Sequence, residues 1–156
     1  MAGRPPLCAE CGCTSRLVSG SHVYPGRTDL HDLRFWLCLT CRDSWVGCKK
    51  GTETALGRPA GPELRRARRM LTELIEPLWL NAHRLAEYSG HDTTGLYQIR
   101  ASARKRVHAY MAHMMGLDKD EAHAAFFDLR QCREAWRTMN GMTYPQIREW
   151  WKALNP

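Results

Sequence analysis

The sequence lacks long hydrophobic runs, which excludes the usual way for a chain to span a membrane. No apolar stretch in its 156 residues reaches the roughly 18 residues that a helix needs to cross a bilayer. The first residues also lack the apolar segment of a secretory signal peptide. We therefore expect no membrane partner and a cytoplasmic location.

The sequence also lacks the motifs that serve common enzyme mechanisms. It contains no nucleophile elbow, no paired carboxylates and no glycine loop that would cradle a phosphate. His108, His113 and His123 do not have the spacing of a zinc hydrolase motif. We therefore predict that the protein is not an enzyme.

Cysteine is abundant, but its pattern does not suit disulfides. The chain has seven cysteines, an odd number, and six of them lie within the first 48 residues. Disulfides are rare in a reducing cytosol, where clustered cysteines are more often metal ligands. The pattern therefore indicates a metal site near the N-terminus.

Two cysteine pairs, Cys8-x-x-Cys11 and Cys38-x-x-Cys41, are separated by 26 residues. Two intervening residues allow both sulfurs of a pair to approach one ion, and zinc prefers four such ligands in a tetrahedron. Four thiolates leave no open position, which makes such a site structural. We predict one structural Zn²⁺ per chain; a redox-active pair and unliganded thiols are the alternatives.

Two further cysteines leave the ligand set open in detail. Cys13 follows Cys11 too closely to join the same tetrahedron easily, whereas Cys48 is able to replace a ligand or to join a second site. The simpler interpretation is that both are spare thiols near the metal.

The rest of residues 1–50 predicts a zinc-ribbon-like β module. Short β-prone runs at 16–18 and 22–24 flank Ser19-Gly20-Ser21, which predicts a hairpin, and a third run occupies 35–37. Residues 51–61 are rich in glycine and predict a linker.

Residues 62–156 have helical periodicity and predict a domain of four to five α-helices, so the fold class is α+β. Pro62 suits a first turn, whereas Pro77 predicts a kink or an end, followed by a second helix over 78–88. Further helices are predicted over about 98–115, from Asp118 and after Thr143. Three residues on the apolar stripes are expected in the core: Trp79, Cys132 and Trp136.

At this point a family resemblance becomes visible. The order of motifs over roughly residues 8–135 resembles that of a small zinc-finger-containing domain family of unknown function, found in phages, prophages and proteobacteria. The resemblance implies a structural zinc and a phage origin. It implies no established activity. The motifs that carry it are Cys8-x-x-Cys11-Gly12, Trp36-x-Cys38-x-x-Cys41, Val46-Gly47-Cys48 and Pro77-Leu78-Trp79.

The net charge of +7 is unevenly distributed. Residues 91–116 contain four basic residues and one acidic residue, whereas residues 117–156 contain six of each. Cations spaced i, i+4 on a helix repel one another, and a phosphate backbone would relieve that repulsion. The predicted cationic surface comprises Arg65, Arg69, Arg100, Arg104, Lys105 and Arg106.

These features predict a nucleic-acid-binding adaptor that uses a basic helical surface. The alternative is a protein-interaction module whose cations meet an acidic host or phage protein, which the module inhibits or redirects. A solvated face that keeps the protein soluble would have the same composition. The charge pattern does not specify a preferred nucleic-acid sequence or an oligomeric state.

Overall fold

The computed structural model describes residues 4–156 of the chain, and this part contains three short strands and five α-helices. The chain divides into two compact units, one that extends to Arg66 and one that begins at Ala67. The strands are β1 (Ser15–Ser19), β2 (Arg34–Cys38) and β3 (Trp45–Gly47). The helices are α1 (Gly20–Val23), α2 (Pro62–Leu80), α3 (Thr93–Met115), α4 (Leu129–Met139) and α5 (Tyr144–Leu154). A sheet near the N-terminus followed by helices confirms the predicted α+β class.

The strands form one antiparallel sheet in the order β1-β2-β3. Leu17 lies opposite Trp36, and Trp36 lies opposite Val46 on its other side. The central strand buries Phe35 and Trp36, as expected for a strand with a neighbour on both edges. The prediction of a strand at 35–37 is confirmed.

The predicted hairpin around Ser19-Gly20-Ser21 is wrong. Gly20 begins the single-turn helix α1, and β1 pairs with β2 instead of with residues 22–24. The backbone N–H of Gly20 donates to the carbonyl of Leu33 at 2.8 Å. A β-carbon at Gly20 would lie 1.8 Å from the carbonyl oxygen of Leu30. Glycine is therefore required here for a close backbone approach and not for a two-residue turn.

Residues 51–61, predicted as a linker, pack against the sheet in the first unit. Trp45 and Ala60 exchange backbone hydrogen bonds of 3.1 and 3.2 Å, and Cys48 forms a bridge with Ala55. Ala60 is fully buried. This segment therefore belongs to the first compact unit.

The second unit encloses an apolar core between its helices. Trp79 and Cys132 are buried, as predicted. Trp136 is 38% exposed, so its predicted core position is wrong. The buried face of α4 is centred between Cys132, Ala135 and Met139, and a residue one position after Ala135 is rotated by about 100° out of that face.

The start of the fourth predicted helix differs from the start of α4 in the structure. The predicted helix start at Asp118 is wrong, because α4 begins at Leu129. Asp128 accepts a bond from the Gln131 N–H at 2.7 Å, and the Gln131 side chain accepts from the Asp128 N–H at 3.0 Å. At Asp118 only the Glu121 side chain bonds back, so the earlier capping box is incomplete.

Two other boundaries differ, and two are confirmed. Helix α2 continues past Pro77 to Leu80, since burial of Trp79 holds the last turn, and short 3₁₀ turns replace the predicted helix at 78–88. Helix α3 begins at Thr93, earlier than predicted, because the Asp92 side chain caps it. The end of α3 at Gly116 and the Thr143 capping box of α5 are confirmed. Across residues 4–156, every helix is too short or too polar to cross a bilayer.

Candidate metal centre

The first cysteine pair lies in a tight turn before β1. The N–H of Gly12 donates to the Cys8 carbonyl at 3.0 Å, and the N–H of Cys8 donates to the Cys13 carbonyl at 2.8 Å. Gly12 has a φ of +73°, a conformation that glycine adopts without a steric penalty. The turn therefore brings the sulfurs of Cys8 and Cys11 to the same side.

The second pair repeats this turn at the end of β2. The N–H of Arg42 donates to the Cys38 carbonyl at 2.8 Å, and the N–H of Cys41 donates to the Cys38 sulfur at 3.4 Å. Arg42 occupies the position equivalent to Gly12 and has a φ of +61°, the one positive φ at a non-glycine residue among those described. The second turn thus has the same geometry as the first but with a steric cost.

The two turns bring the four sulfurs within 4.8 Å of one another. The Sγ atoms of Cys11 and Cys38 are 3.5 Å apart, and those of Cys8 and Cys41 are 4.0 Å apart. Tetrahedral Zn–S bonds of about 2.3 Å would place the sulfurs about 3.8 Å apart. The donor atoms and their spacing therefore fit zinc, and both distances are far too long for a disulfide.

Hydrogen bonding and desolvation separate the proton affinities of these thiols. Burial acts to raise the pKa of Cys38, but the N–H of Cys41 and the neighbouring thiols donate to its sulfur and lower the pKa to about 7. The pKa of Cys11 is raised: a backbone hydrogen bond at Cys13 acts to lower it, but desolvation and the adjacent thiols outweigh that bond. Since zinc binds thiolates, a thiol that ionises near neutral pH favours metal uptake there.

The remaining cysteines lie outside the cluster of four. Cys13 is exposed, Cys48 is half-buried and Cys132 is buried in the second unit. Among residues 4–156, only Cys8, Cys11, Cys38 and Cys41 come together as a metal-binding group. The interpretation of Cys13 and Cys48 as spare thiols therefore agrees with the geometry.

Side chains from residues 58–61 hold the first turn in place. The Arg58 guanidinium donates to the carbonyls of Leu7 and Cys8, at 3.3 and 3.1 Å. The Glu10 carboxylate, between the two cysteines, accepts the Gly61 N–H at 3.0 Å. Sequence reasoning missed these residues, because contacts between positions about 50 residues apart leave no local pattern.

Arg65 supports the second turn. Its guanidinium donates to the carbonyls of Asp43 and Ala60, both at 2.6 Å, and lies 4.2 Å above the Trp45 ring. Trp45 in turn packs edge-on against Tyr24 and Phe35. Arg65 was predicted to face a partner, but the structure uses its donors within its own unit.

The other predicted cations lie in the second unit and differ in their surroundings. Arg106 donates to the Tyr144 hydroxyl at 2.8 Å and is half-buried. Arg69 is exposed and pairs with Glu73 at 3.8 Å. The three cations exposed along one side of α3 are Arg100, Arg104 and Lys105.

The comparisons agree with the metal centre. The sequence pattern of a family described as a zinc-finger-containing domain matches residues 4–90. This match spans more than half of the chain, which therefore belongs to that family, and the predicted resemblance is confirmed as far as residue 90. No curated protein and no solved structure matches the chain. Family membership and four convergent thiols together support a structural zinc.

Proposed function

We propose that this zinc-finger protein binds nucleic acid through the cationic side of α3. The observation that carries the proposal is the exposure of Arg100, Arg104 and Lys105 on a helix of 23 residues without a single acidic side chain. Arg100 and Arg104 are one turn apart and repel each other. Polyphosphate binding removes that repulsion and releases counterions, which is the main source of sequence-independent affinity for nucleic acid.

The zinc centre has a structural part in this proposal. Four thiolates occupy every position of a tetrahedral ion, so no coordination site is left for water or a substrate. One ion per chain would crosslink the turn before β1 to the end of β2. The chain has two compact units, and the adaptor proposal assigns nucleic-acid binding to the helical one.

Salt dependence and charge removal test the proposal. We expect fluorescence anisotropy to show binding of random-sequence DNA or RNA that weakens steeply between two salt concentrations. Replacing Arg104 and Lys105 together with Gln should weaken binding and reduce the slope of log affinity against log salt by about 0.9 per lost phosphate contact on duplex DNA. The effect should be similar on all sequences, because phosphate contacts do not distinguish bases.

A charge-matched control separates this surface from the net charge. Arg130 and Arg137 are exposed on α4, and their replacement with Gln removes the same two charges. We expect this control to change affinity much less than the α3 variant. Equal losses in both variants would mean that only the overall charge attracts nucleic acid and would contradict the proposal.

An acidic host or phage protein is the second candidate partner. Arg65 and Arg106 already bind atoms of their own units, and Arg100 donates to the Leu80 carbonyl at 3.1 Å, so fewer cations than predicted are fully available to follow a phosphate chain. A short cationic face matches an acidic protein patch better than a long backbone. Absence of nucleic-acid binding at low salt, with loss of one specific protein complex in the α3 variant, would favour this candidate.

We also propose a phage origin and a location in the host cytoplasm. The family resemblance described above supports the origin. A cluster of free thiols suits a reducing compartment, which supports the location.

A further inference from the structure

The second unit contains a cleft of about 640 Å³, a volume typical of ligand sites, that is lined by one side of α3 and by side chains of residues 79–80 and 119–123. We call it the α3 cleft. Its charge is strongly asymmetric: Asp120 is the one acidic side chain in its lining. Four cationic residues line it: Arg100, Arg104, Lys105 and Lys119.

Aromatic rings accompany these cations. Tyr97 lies one helical turn before Arg100 and Ala101, and is 74% exposed, the highest exposure among the large hydrophobic residues of the described chain. An exposed ring has a flat face on which an unpaired base can stack. Tyr97 and the cations therefore line the same cleft.

Three rings, those of Trp79, His108 and His123, lie together in the lining of the cleft. The ring centroid of His108 lies 5.5 Å from that of Trp79 and 4.9 Å from that of His123. Burial lowers the pKa of His108, so this imidazole is neutral at pH 7. Its Nδ1 donates to the Ala122 carbonyl at 2.9 Å, which leaves Nε2 as an acceptor.

That acceptor lacks a donor among residues 4–156. The Nε2 atom of His108 is buried and makes no hydrogen bond. Leaving a buried acceptor unsatisfied is unfavourable, and such groups call for a structural or functional explanation. His108 therefore lines the cleft with an unsatisfied polar atom behind its surface.

We propose that the α3 cleft binds single-stranded nucleic acid, with an unpaired base against Tyr97 and the adjoining phosphates at Arg100, Arg104 and Lys105. The inference rests on the proposed nucleic-acid function and narrows it to one class of partner. Cationic grooves with exposed aromatic rings bind single strands, because each unpaired base has a face that can stack. The bases of a duplex are already stacked inside the double helix, so they are not available to stack on Tyr97.

Paired substitutions at Tyr97 test the stacking contact. We expect Tyr97→Ala to weaken binding of a single-stranded oligonucleotide about fivefold to a hundredfold, as loss of one stacked base does. Tyr97→Phe should retain nearly full affinity, because stacking needs the ring and not the hydroxyl. Phe126→Ala removes another exposed ring, outside the cleft lining, and should leave affinity unchanged.

The same titrations with duplex DNA separate this inference from the proposed function. We expect duplex binding to be weaker and insensitive to Tyr97→Ala. If the α3 charge variant weakens binding but Tyr97→Ala does not, nucleic-acid binding stands and the single-strand inference is wrong. If the wild-type protein binds neither form at low salt, both proposals fail.

Folding is controlled independently of binding. Tyr97 is highly exposed, so its substitution should leave thermal unfolding and zinc content at wild-type values. Loss of affinity without a change in unfolding assigns the effect to the cleft. If Tyr97→Ala and Tyr97→Phe both lose affinity and both unfold, the loss of affinity comes from unfolding. That result would contradict the stacking contact.

Discussion

The two units are stabilised by different means. The first unit contains a short sheet whose central strand buries Phe35 and Trp36. Its two cysteine turns come together at the surface of the unit, where Cys11 is exposed. The second unit surrounds fully buried aliphatic side chains such as Leu71, Val107 and Ile147. A unit of some sixty residues buries too little apolar surface for a large margin of stability, so a metal crosslink contributes more there.

Loss of a zinc ligand should give the largest difference between the units. Cys38 is fully buried and contributes to both the sheet and the thiol cluster. We expect Cys38→Ser to abolish zinc binding and unfold residues 4–66, because a structural zinc contributes on the order of 10 kcal/mol to folding. The second unit should stay folded. Elemental analysis and hydrogen exchange resolved by peptide would measure both effects.

Chelation of the wild-type protein should reproduce this result. Cys48→Ser is the matched control, since Cys48 lies outside the cluster and its loss should leave one zinc per chain. Cooperative unfolding of both units in Cys38→Ser would contradict the comparison.

A core substitution should affect the units in the opposite order. Leu71 is fully buried on α2, whereas its neighbour Met70 is 47% exposed. We expect Leu71→Ala to reduce the free energy of unfolding of the second unit by about 2–5 kcal/mol, through lost burial and a cavity. Met70→Ala should change it by less than about 0.5 kcal/mol. Chemical denaturation followed by helical circular dichroism would measure the difference.

Zinc content provides the contrast for these variants. Both should retain wild-type zinc, because the four ligands lie in the first unit. Loss of zinc in Leu71→Ala would show that the two units unfold together, which would contradict the proposed difference in how they are stabilised.

Within the first unit, the two cysteine turns differ at one equivalent position. Gly12→Ala should destabilise its turn by about 1 kcal/mol, because a β-carbon is disfavoured at a φ of +73° even though no neighbouring atom obstructs it. Arg42→Gly should stabilise the other turn by about 0.5 kcal/mol, since it relieves the same conflict. Competition with a zinc chelator would detect these as roughly fivefold weaker and twofold tighter binding.

Arg42→Ala is the control for the side chain of arginine. Alanine keeps the β-carbon and should leave zinc affinity near the wild-type value. A gain in Arg42→Ala equal to that in Arg42→Gly would assign the effect to lost charge instead of backbone conformation.

Thiol reactivity should give the smallest effect, because it leaves both folds intact. Burial raises the pKa of Cys132 to about 11, so this thiol is protonated at pH 8 and shielded from reagents. Cys13 is exposed. We expect a maleimide to label Cys13 within minutes and Cys132 only after unfolding, with mass spectrometry identifying each site. Rapid labelling of Cys132 in the folded protein would contradict the burial.

The metal site could be predicted from local spacing. Each Cys-x-x-Cys pair sets its own turn through contacts of four or five residues, and Gly12 marks the positive φ that closes the first one. The Thr143 and Gly116 helix boundaries were predictable for the same reason, since caps depend on side chains within a few residues.

Arg65 and Gly20 show where local reasoning fails. Arg65 has the spacing of a surface cation, yet it donates to the backbone carbonyl of Asp43, 22 residues away along the chain. Gly20 resembles a turn residue, yet the backbone at Leu30 requires it. Both roles depend on partners that are distant in sequence.

The sequence by itself determined the four thiol ligands, the α+β class and the family, because local spacing and composition encode them. Only the tertiary structure decided which cations stay available to a partner. Long-range hydrogen bonds engage Arg65 and Arg106, whereas α3 leaves Arg104 and Lys105 exposed beside Tyr97. Charge spacing along a helix is local, but the carbonyls and hydroxyls that accept these donors come from other elements, and packing alone brings them close.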